Sequence, residues 1–369
     1  MKIFFYVQHL LGIGHLKRAA ALARALRRGG FEVALASGGF PVEGVEVSCQ
    51  LPPACAADAS FKVLLDEAGR PIDDEWKRRR AALLLDAWRA SRADALLIEL
   101  YPFGRRQMRF ELAPLLEDAR RLQPRPLVAC SVRDLIQPKP AREAAALDLV
   151  ERYFDRVLVH GDPAVARFES SFSLAPRLGE RLAYTGYVVE NVEASSSARG
   201  EVLVSAGGGA VGARLLETAL RARELSLMKG APWRVLAGVQ AGDGQLAALR
   251  QAAPAGVTIE RSREDFQALL GGCALSISQA GYNTVAEVLQ ARVRAVLVPF
   301  AGGGESEQTE RAQLLAARGV CEVVPEAALT PQALAAAVDR AARAPRPEAG
   351  RVDLGGAART TQLLKKWLS

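Results

Sequence analysis

Four stretches of this chain carry residue types whose spacing suits chemistry, and the first is Gly12-Ile13-Gly14-His15. Glycines at 12 and 14 let the backbone turn tightly and approach a ligand, and a helix starting there points N–H groups at an anion. His15 is one of three histidines in the chain. At the mouth of such a turn its imidazole suits a general base; the plainer alternative is a helix-start histidine without chemistry. His9 and His160 each close an apolar run and read as structural residues or cleft walls. A dinucleotide fingerprint would want a third glycine where the chain has Lys17, and an acid where it has Ala36-Ser37-Gly38. A nicotinamide cofactor is therefore not expected.

The second half holds the other three. Val202–Ser205 runs into Ala206-Gly207-Gly208-Gly209-Ala210-Val211-Gly212-Ala213, a strand, a Gly-rich turn and a helix start fit for a phosphate. Ser278-Gln279-Ala280-Gly281-Tyr282-Asn283-Thr284-Val285-Ala286-Glu287 is the stronger signal. Gly281 allows close approach, Asn283 and Thr284 can cap the helix and bond a phosphate, and Glu287 lies one helical turn beyond Asn283, placed to accept both hydroxyls of a ribose. Glu307-Gln308 follow Val298-Pro299-Phe300 and a glycine loop, and an acid-amide pair there can read the hydroxyl pattern of a sugar. The competing reading is a capped helix followed by a solvated polar turn. Two further strand ends, Glu99–Arg106 and Ser131–Asp134, offer Glu99, Arg105, Arg133 and Asp134 as acceptor contacts, with internal ion pairs as the alternative.

These residues need a frame. Apolar runs at 2–8, 31–37, 94–99, 126–131 and 156–160 alternate with helix-like stretches at 15–28, 74–90, 107–122 and 141–152. The plan repeats with strands near 201–205, 233–237, 257–260, 274–278, 295–299 and 321–324. This is an α/β chain of two doubly wound, Rossmann-like domains. The expected division is 1–187, a polar linker at 188–200, a second domain at 201–345, and a tail with a last helix at 346–369. Such domains bind at strand C-termini, which predicts a central cleft.

At 369 residues, 50% hydrophobic and 24% charged, the chain has material for two cores and excludes a disordered or collagen-like protein. Lys2 followed by Ile3–Val7 imitates a leader, but Gln8, His9, Lys17 and Arg18 interrupt it, so the run reads as a buried strand. Five scattered cysteines without a C-x-x-C pair argue against disulfides or structural zinc and for a reducing cytoplasm. The net charge is +7, with 28 basic against 23 acidic residues in 1–187 and 20 against 18 in 188–369. Of the 48 basic residues 40 are Arg, which points to coding bias as much as binding. No like-charge run exceeds Lys77–Arg80, so nucleic acid is not an expected partner.

With these motifs in order along the chain, it resembles a GT-B fold glycosyltransferase of family 28, the family of the peptidoglycan UDP-GlcNAc transferase, and more broadly the UDP-glycosyltransferase superfamily. Gly12–His15 resembles the family's N-terminal glycine loop with its His, and Gly207–Ala213 its G-G-S-x-G-A turn, with Gly209 in place of the Ser. Ser278–Glu287 is similar to its S-x-S-G-x-x-T-x-x-E donor motif and Glu307-Gln308 to its sugar-reading pair. The resemblance implies an inverting hexosyltransferase moving GlcNAc or a similar hexose from a UDP-sugar, with His15 as base. It implies donor contacts from Gly14, Gly208, Gly209, Arg261, Ser278, Gln279, Gly281, Tyr282, Asn283, Thr284, Glu287, Glu307 and Gln308. Gln279 stands where related boxes have His, which leaves more of the diphosphate to the loop amides. No D-x-D occurs, so no metal and no cofactor beyond the UDP-sugar co-substrate are expected. The acceptor is expected to be a glycan, a lipid-linked sugar or a small molecule. The implied location is cytoplasmic, with peripheral contact at an anionic inner membrane face. Competing expectations are a UDP-sugar hydrolase, since Gly12–Arg18 is similar to the G-x-G-H-x-x-R string of the pseudaminic acid pathway hydrolase, a UDP-sugar 2-epimerase, and a silent sugar-nucleotide binder.

Overall fold

A computed structural model describes residues 1–58, 61–190, 200–206, 212–238 and 241–369. The chain divides into two compact units, Met1–Val188 with Gly355–Ser369, and Val189–Leu354.

The first unit is built on β1 (Lys2–Val7), β2 (Glu32–Ser37), β3 (Cys49–Gln50), the small hairpin β4 (Cys55–Ala56) and β5 (Leu64–Leu65), then β6 (Ala95–Glu99), β7 (Leu127–Arg133), β8 (Arg156–His160) and β9 (Leu182–Tyr184). Seven described strands form one parallel sheet in the order β3-β2-β1-β6-β7-β8-β9. Because side chains alternate along a strand, β1 sends Phe4 and Tyr6 to one face and Ile3, Phe5 and Val7 to the other, and both sets are buried. The first face is covered by α2 (Asp74–Ser91), α3 (Arg109–Arg121) and α4 (Pro140–Tyr153), the second by α1 (Gly14–Arg28) and α11 (Gly356–Leu368).

The last helix therefore closes the first unit instead of forming a separate tail. Leu364 joins the core against α1, Arg156 stacks its guanidinium 5.1 Å from the Trp367 ring, and the Gly356 amide donates to Tyr187 O at 3.0 Å. A side chain at 356 would meet the Gly186 carbonyl at 2.4 Å, so glycine is what permits this docking.

The second unit has β10 (Val202–Ser205), β11 (Trp233–Ala237), β12 (Val257–Arg261), β13 (Leu275–Ser278), β14 (Arg294–Leu297) and β15 (Glu322–Val323) in the parallel order β12-β11-β10-β13-β14-β15. Helices α5 (Ala213–Arg223), α6 (Asp243–Ala252) and α10 (Pro331–Arg343) pack on one face, and α7 (Phe266–Gly272) and α8 (Tyr282–Ala291) on the other. The remaining helix is α9 (Glu307–Ala317). The chain leaves β10 toward β11 on one side and returns to β13 on the other. The β10–β13 pair is thus the switch point, where an open α/β sheet makes room for a ligand.

Candidate functional site

In the first unit the chemistry gathers where β1, β6, β7 and β8 end. Glu99 is the last residue of β6 and Ser131 lies opposite it on β7. Helix α1 begins at Gly14, so His15 and Arg18, three residues apart on one face, both reach back to Glu99. The His15 Nδ1 lies 2.9 Å from Glu99 Oε1, the same oxygen accepts from the Arg18 guanidinium, and Ser131 Oγ donates to Oε2 at 2.7 Å. Behind Ser131, His160 Nε2 is 2.9 Å from its Oγ and His160 Nδ1 is 2.8 Å from Thr185 Oγ1. Glu99 is fully buried, whereas the His15 side chain keeps 13% of its surface exposed. His15 alone of that pair can meet a substrate.

Electrostatics fixes the protonation states. Burial works to raise the Glu99 pKa, but the charge of Arg18 and the bonds from His15 and Ser131 prevail and hold it at about 2. Burial and the nearby Arg105 charge push His15 down to about 3, against the pull of Glu99. Burial and Arg18 bring His160 to about 3 in the same way, and burial and Arg105 bring His9 to about 4. At neutral pH Glu99 is therefore an anion and His15 a neutral imidazole. An ionised carboxylate can only accept, so His15 Nδ1 carries the proton and Nε2 keeps its lone pair.

Arg105 stands beside this centre. Its Nε donates to Gln8 O at 2.8 Å, and burial together with the Arg133 charge lowers it to about 10. The loop that carries it holds Leu100 at φ 69° and Arg105 at φ 59°, left-handed conformations costing roughly 1–3 kcal/mol each in a non-glycine residue. Below the loop, fully buried Arg80 donates to Glu111, the Gln8 side chain, Gly38 O and Pro52 O, tying α2 and α3 to the end of β1.

Two of the expected acceptor contacts are corrected here. Glu99 is enclosed beneath His15, and Asp134 is enclosed with its carboxylate accepting from Tyr187 Oη at 2.8 Å. Both carboxylates support the domain. Arg105 and Arg133 keep partial exposure, as does Gly14.

In the second unit, helices α5 and α8 begin at the switch point, after Gly212 and Gly281. Neither start has a side-chain cap or an acid in its first turn. A cavity of about 250 Å³ opens here between Gly212–Leu215, Gln279, Val298–Phe300, Glu326 and Leu329. Arg214 lines it and anchors to Leu329 O at 3.2 Å, adding positive charge at the start of α5. From the donor motif, Gln279, Gly281, Asn283, Thr284 and Glu287 are partly exposed, while Ser278 and Tyr282 are buried. Asn283 and Glu287 share a helix face. Arg311 is fully buried beneath the motif, with Nη1 donating to Ala280 O at 3.0 Å and its guanidinium 5.9 Å from the Tyr282 ring.

Glu307 is 3% exposed, and Gln308 accepts from the Phe300 amide at 3.2 Å, which holds the Pro299-Phe300 turn. Arg261 ends β12, two strands from the switch point, with its guanidinium on Ala241 O and Asp243. Gly208 and Gly209 lie outside the described residues. Among the described residues no three His, Cys, Asp or Glu side chains gather into a metal-sized group, and no helix is long and apolar enough to cross a membrane. Sequence reasoning read His160 as structural or a cleft wall and missed the supporting roles of Arg18, Thr185, Arg214 and Arg311. Only Arg18 had a signal, its place three residues after His15.

Comparison with known proteins matches a family model to part of the second unit. Residues 203–351 match the glycosyltransferase family 28 C-terminal domain. The UDP-N-acetylglucosamine–N-acetylmuramyl-(pentapeptide) pyrophosphoryl-undecaprenol N-acetylglucosamine transferase of Bordetella parapertussis is 35% identical over 149 residues, 40% of this chain and 41% of that protein. The enzyme of the same name from Nitrosomonas eutropha is 35% identical over 131 residues, 35% of this chain and 36% of that protein. The chain thus spans about two fifths of the length of the curated relatives it matches. Solved structures extend the likeness to the whole chain at the level of fold. The glycotransferase of kitacinnamycin has a TM-score of 0.64 at 18% identity, covering 100% of this chain and 99% of that one. MurG of Acinetobacter baumannii has 0.60 at 19%, covering 99% and 100%.

Proposed function

We propose that this chain, a GT-B fold protein whose residues 203–351 match the glycosyltransferase family 28 C-terminal domain, moves a hexose from a UDP-sugar to an acceptor hydroxyl with inversion. One observation carries the reading: a partly exposed imidazole braced through Nδ1 by a buried carboxylate, His15 on Glu99, at the C-terminal edge of the first sheet.

In this mechanism His15 Nε2 takes the proton of the acceptor hydroxyl. That oxygen attacks the anomeric carbon from the face opposite UDP, the bond to the β-phosphate oxygen breaks, and UDP leaves with the electron pair. The imidazolium formed on His15 faces the Glu99 anion, and a positioned base of this kind contributes about 10²–10⁴-fold. The leaving diphosphate is stabilised by amides at the starts of α5 and α8, with Ser278, Gln279, Gly281, Asn283 and Thr284 around it, and no metal is assigned a role. Glu287 takes the ribose hydroxyls, Arg261 lies toward the nucleoside, and Gln308 reads the sugar, GlcNAc or a similar hexose, with buried Tyr282 and Glu307 behind these contacts. Arg105 and Arg133 face the acceptor, a glycan, a lipid-linked sugar or a small molecule. The protein works in the cytoplasm, peripherally on an anionic membrane face.

A second reading has one observation in its favour. Arg18, the last residue of the G-x-G-H-x-x-R string, bonds the same carboxylate that braces His15. In that reading water replaces the acceptor and the enzyme is a UDP-sugar hydrolase. A panel of UDP-sugars, incubated with and without polyprenyl-linked and soluble glycan acceptors, separates the two. Acceptor-dependent release of UDP supports the transferase, whereas fast release of free sugar without acceptor replaces it by the hydrolase.

A further inference from the structure

We propose that Ser131, His160 and Thr185 form a buried hydrogen-bond relay that fixes Glu99 and, through it, the tautomer of His15. The proposal rests on His15 acting as the base, but its first test does not.

The relay runs across three elements. Ser131 is on β7, His160 ends β8, and Thr185 directly follows β9, so three neighbouring strands each contribute one member. All three are fully buried. The spacings are 2.7 Å from Ser131 Oγ to Glu99 Oε2, 2.9 Å from His160 Nε2 to Ser131 Oγ and 2.8 Å from Thr185 Oγ1 to His160 Nδ1.

The carboxylate determines every proton in this chain. Glu99, ionised against Arg18, only accepts, so the Ser131 hydroxyl proton points at Oε2. Ser131 then has only lone pairs to offer His160, and Nε2 must carry the His160 proton. A neutral His160 has a bare Nδ1, which accepts from the Thr185 hydroxyl in place of that hydroxyl's other acceptors, Gly186 O and Val159 O. The result is a one-way series, Thr185 to His160 to Ser131 to Glu99, that meets His15 donating from the opposite side. Hydrogen bonds aligned in this way polarise one another, and a buried member left unpaired is costly. The two histidines are therefore held in opposite tautomers, Nδ1–H at His15 and Nε2–H at His160. Ser131, His160 and Thr185 are positioning residues, since none of them needs to touch substrate.

The test is ¹⁵N NMR of the histidines in the full chain without substrate, assigned by His9→Gln and His15→Gln variants, since the chain has three histidines. The expected spectrum shows a protonated Nδ1 at His15 and a protonated Nε2 at His160. In Ser131→Ala, His160 loses its acceptor and is expected to switch to Nδ1–H, donating to Thr185. In the UDP-sugar assay kcat falls about tenfold or more while UDP affinity stays within about twofold. Thr185→Val removes the outermost donor with little change of shape and lowers kcat in the same direction, and Thr185→Ser restores it. An Nδ1–H tautomer at His160 in the unmodified protein overturns the relay. So does unchanged kcat in both Ser131→Ala and Thr185→Val. If Ser131→Ala does not fold, Thr185→Val against Thr185→Ser decides. A chain with the expected tautomers but no UDP-sugar turnover keeps the relay and loses the proposed function, which separates the two failures.

Discussion

Replacing Glu99 with Gln keeps the shape of the side chain and removes one charge, and the surroundings make the consequences calculable. Arg18 is 2% exposed and gives its guanidinium to Glu99, so Glu99→Gln strands a buried cation. Breaking one side of a buried pair costs about 3–5 kcal/mol, a large part of the roughly 5–15 kcal/mol that holds a domain folded. For a unit of this size each kcal/mol lowers Tm by roughly 2–4 °C, so a fall of about 6–20 °C is expected. Activity suffers for a separate reason. Oε1 accepts from both Arg18 and His15, so the amide keeps its oxygen there and turns its NH2 toward Ser131. His15 keeps its Nδ1 proton but loses the anion that stabilises the imidazolium formed when the acceptor gives up its proton. The expected loss in kcat is about 10²–10⁴-fold. UDP affinity, measured by calorimetry below the variant's melting range, should not change, because the donor residues belong to the other unit. The double variant Arg18→Met with Glu99→Gln should regain much of the Tm and none of the kcat, since the stranded charge is gone and the imidazolium still lacks its anion. An unchanged Tm would show that Arg18 and Glu99 are not a buried pair. An unchanged kcat would remove His15 from the mechanism.

Acid should destabilise the chain earlier than its carboxylates alone would. His9, His15 and His160 have folded pKa values of about 4, 3 and 3 against about 6.5 unfolded, so the unfolded chain binds more protons between those limits and stability falls as pH drops below about 6.5. Each contributes at most about 2 kcal/mol of loss between pH 7 and pH 5, seen as a falling urea midpoint. A flat midpoint over that range would mean the histidines are solvated. Gly212→Ala places a methyl group 2.1 Å from Ala206 Cβ, forcing apart the two ends of the Gly-rich turn, and should cost about 1–3 kcal/mol and weaken UDP binding in calorimetry. Arg311→Met fills the same space but leaves Ala280 O without its donor, so thermal unfolding should fall by about 1–3 kcal/mol of stability and UDP should bind more weakly.

The frame was legible because strand interiors of a doubly wound sheet are short apolar runs. The stretch expected at 94–99 is Ala95–Glu99, and that expected at 233–237 is Trp233–Ala237. Two-residue strands such as Cys49–Gln50 and Leu64–Leu65 were not, since a pair of residues has no period to detect. The last helix was visible as an amphipathic segment, but its destination on α1 is a tertiary choice that local pattern does not contain. The same limit applies at the site. His15 stood out by type and rarity, and Glu99 by its place at a strand end. That Glu99 turns inward to brace His15 follows from Arg18 and Ser131 bonding it and from His160 bonding Ser131, contacts separated by 81, 32 and 29 residues of sequence. Charge at a strand end therefore marked the place in the fold where Glu99 sits, while its partners are His15, Arg18 and Ser131 and not an acceptor.

In the proposed mechanism the second unit holds the donor and the first supplies the base. Calorimetric titration of UDP into the unmodified chain, His15→Ala and Glu287→Ala tests that division most directly. The predicted result is equal UDP affinity in the unmodified chain and His15→Ala, and at least tenfold weaker binding in Glu287→Ala. Loss of UDP binding in His15→Ala with full retention in Glu287→Ala would contradict it.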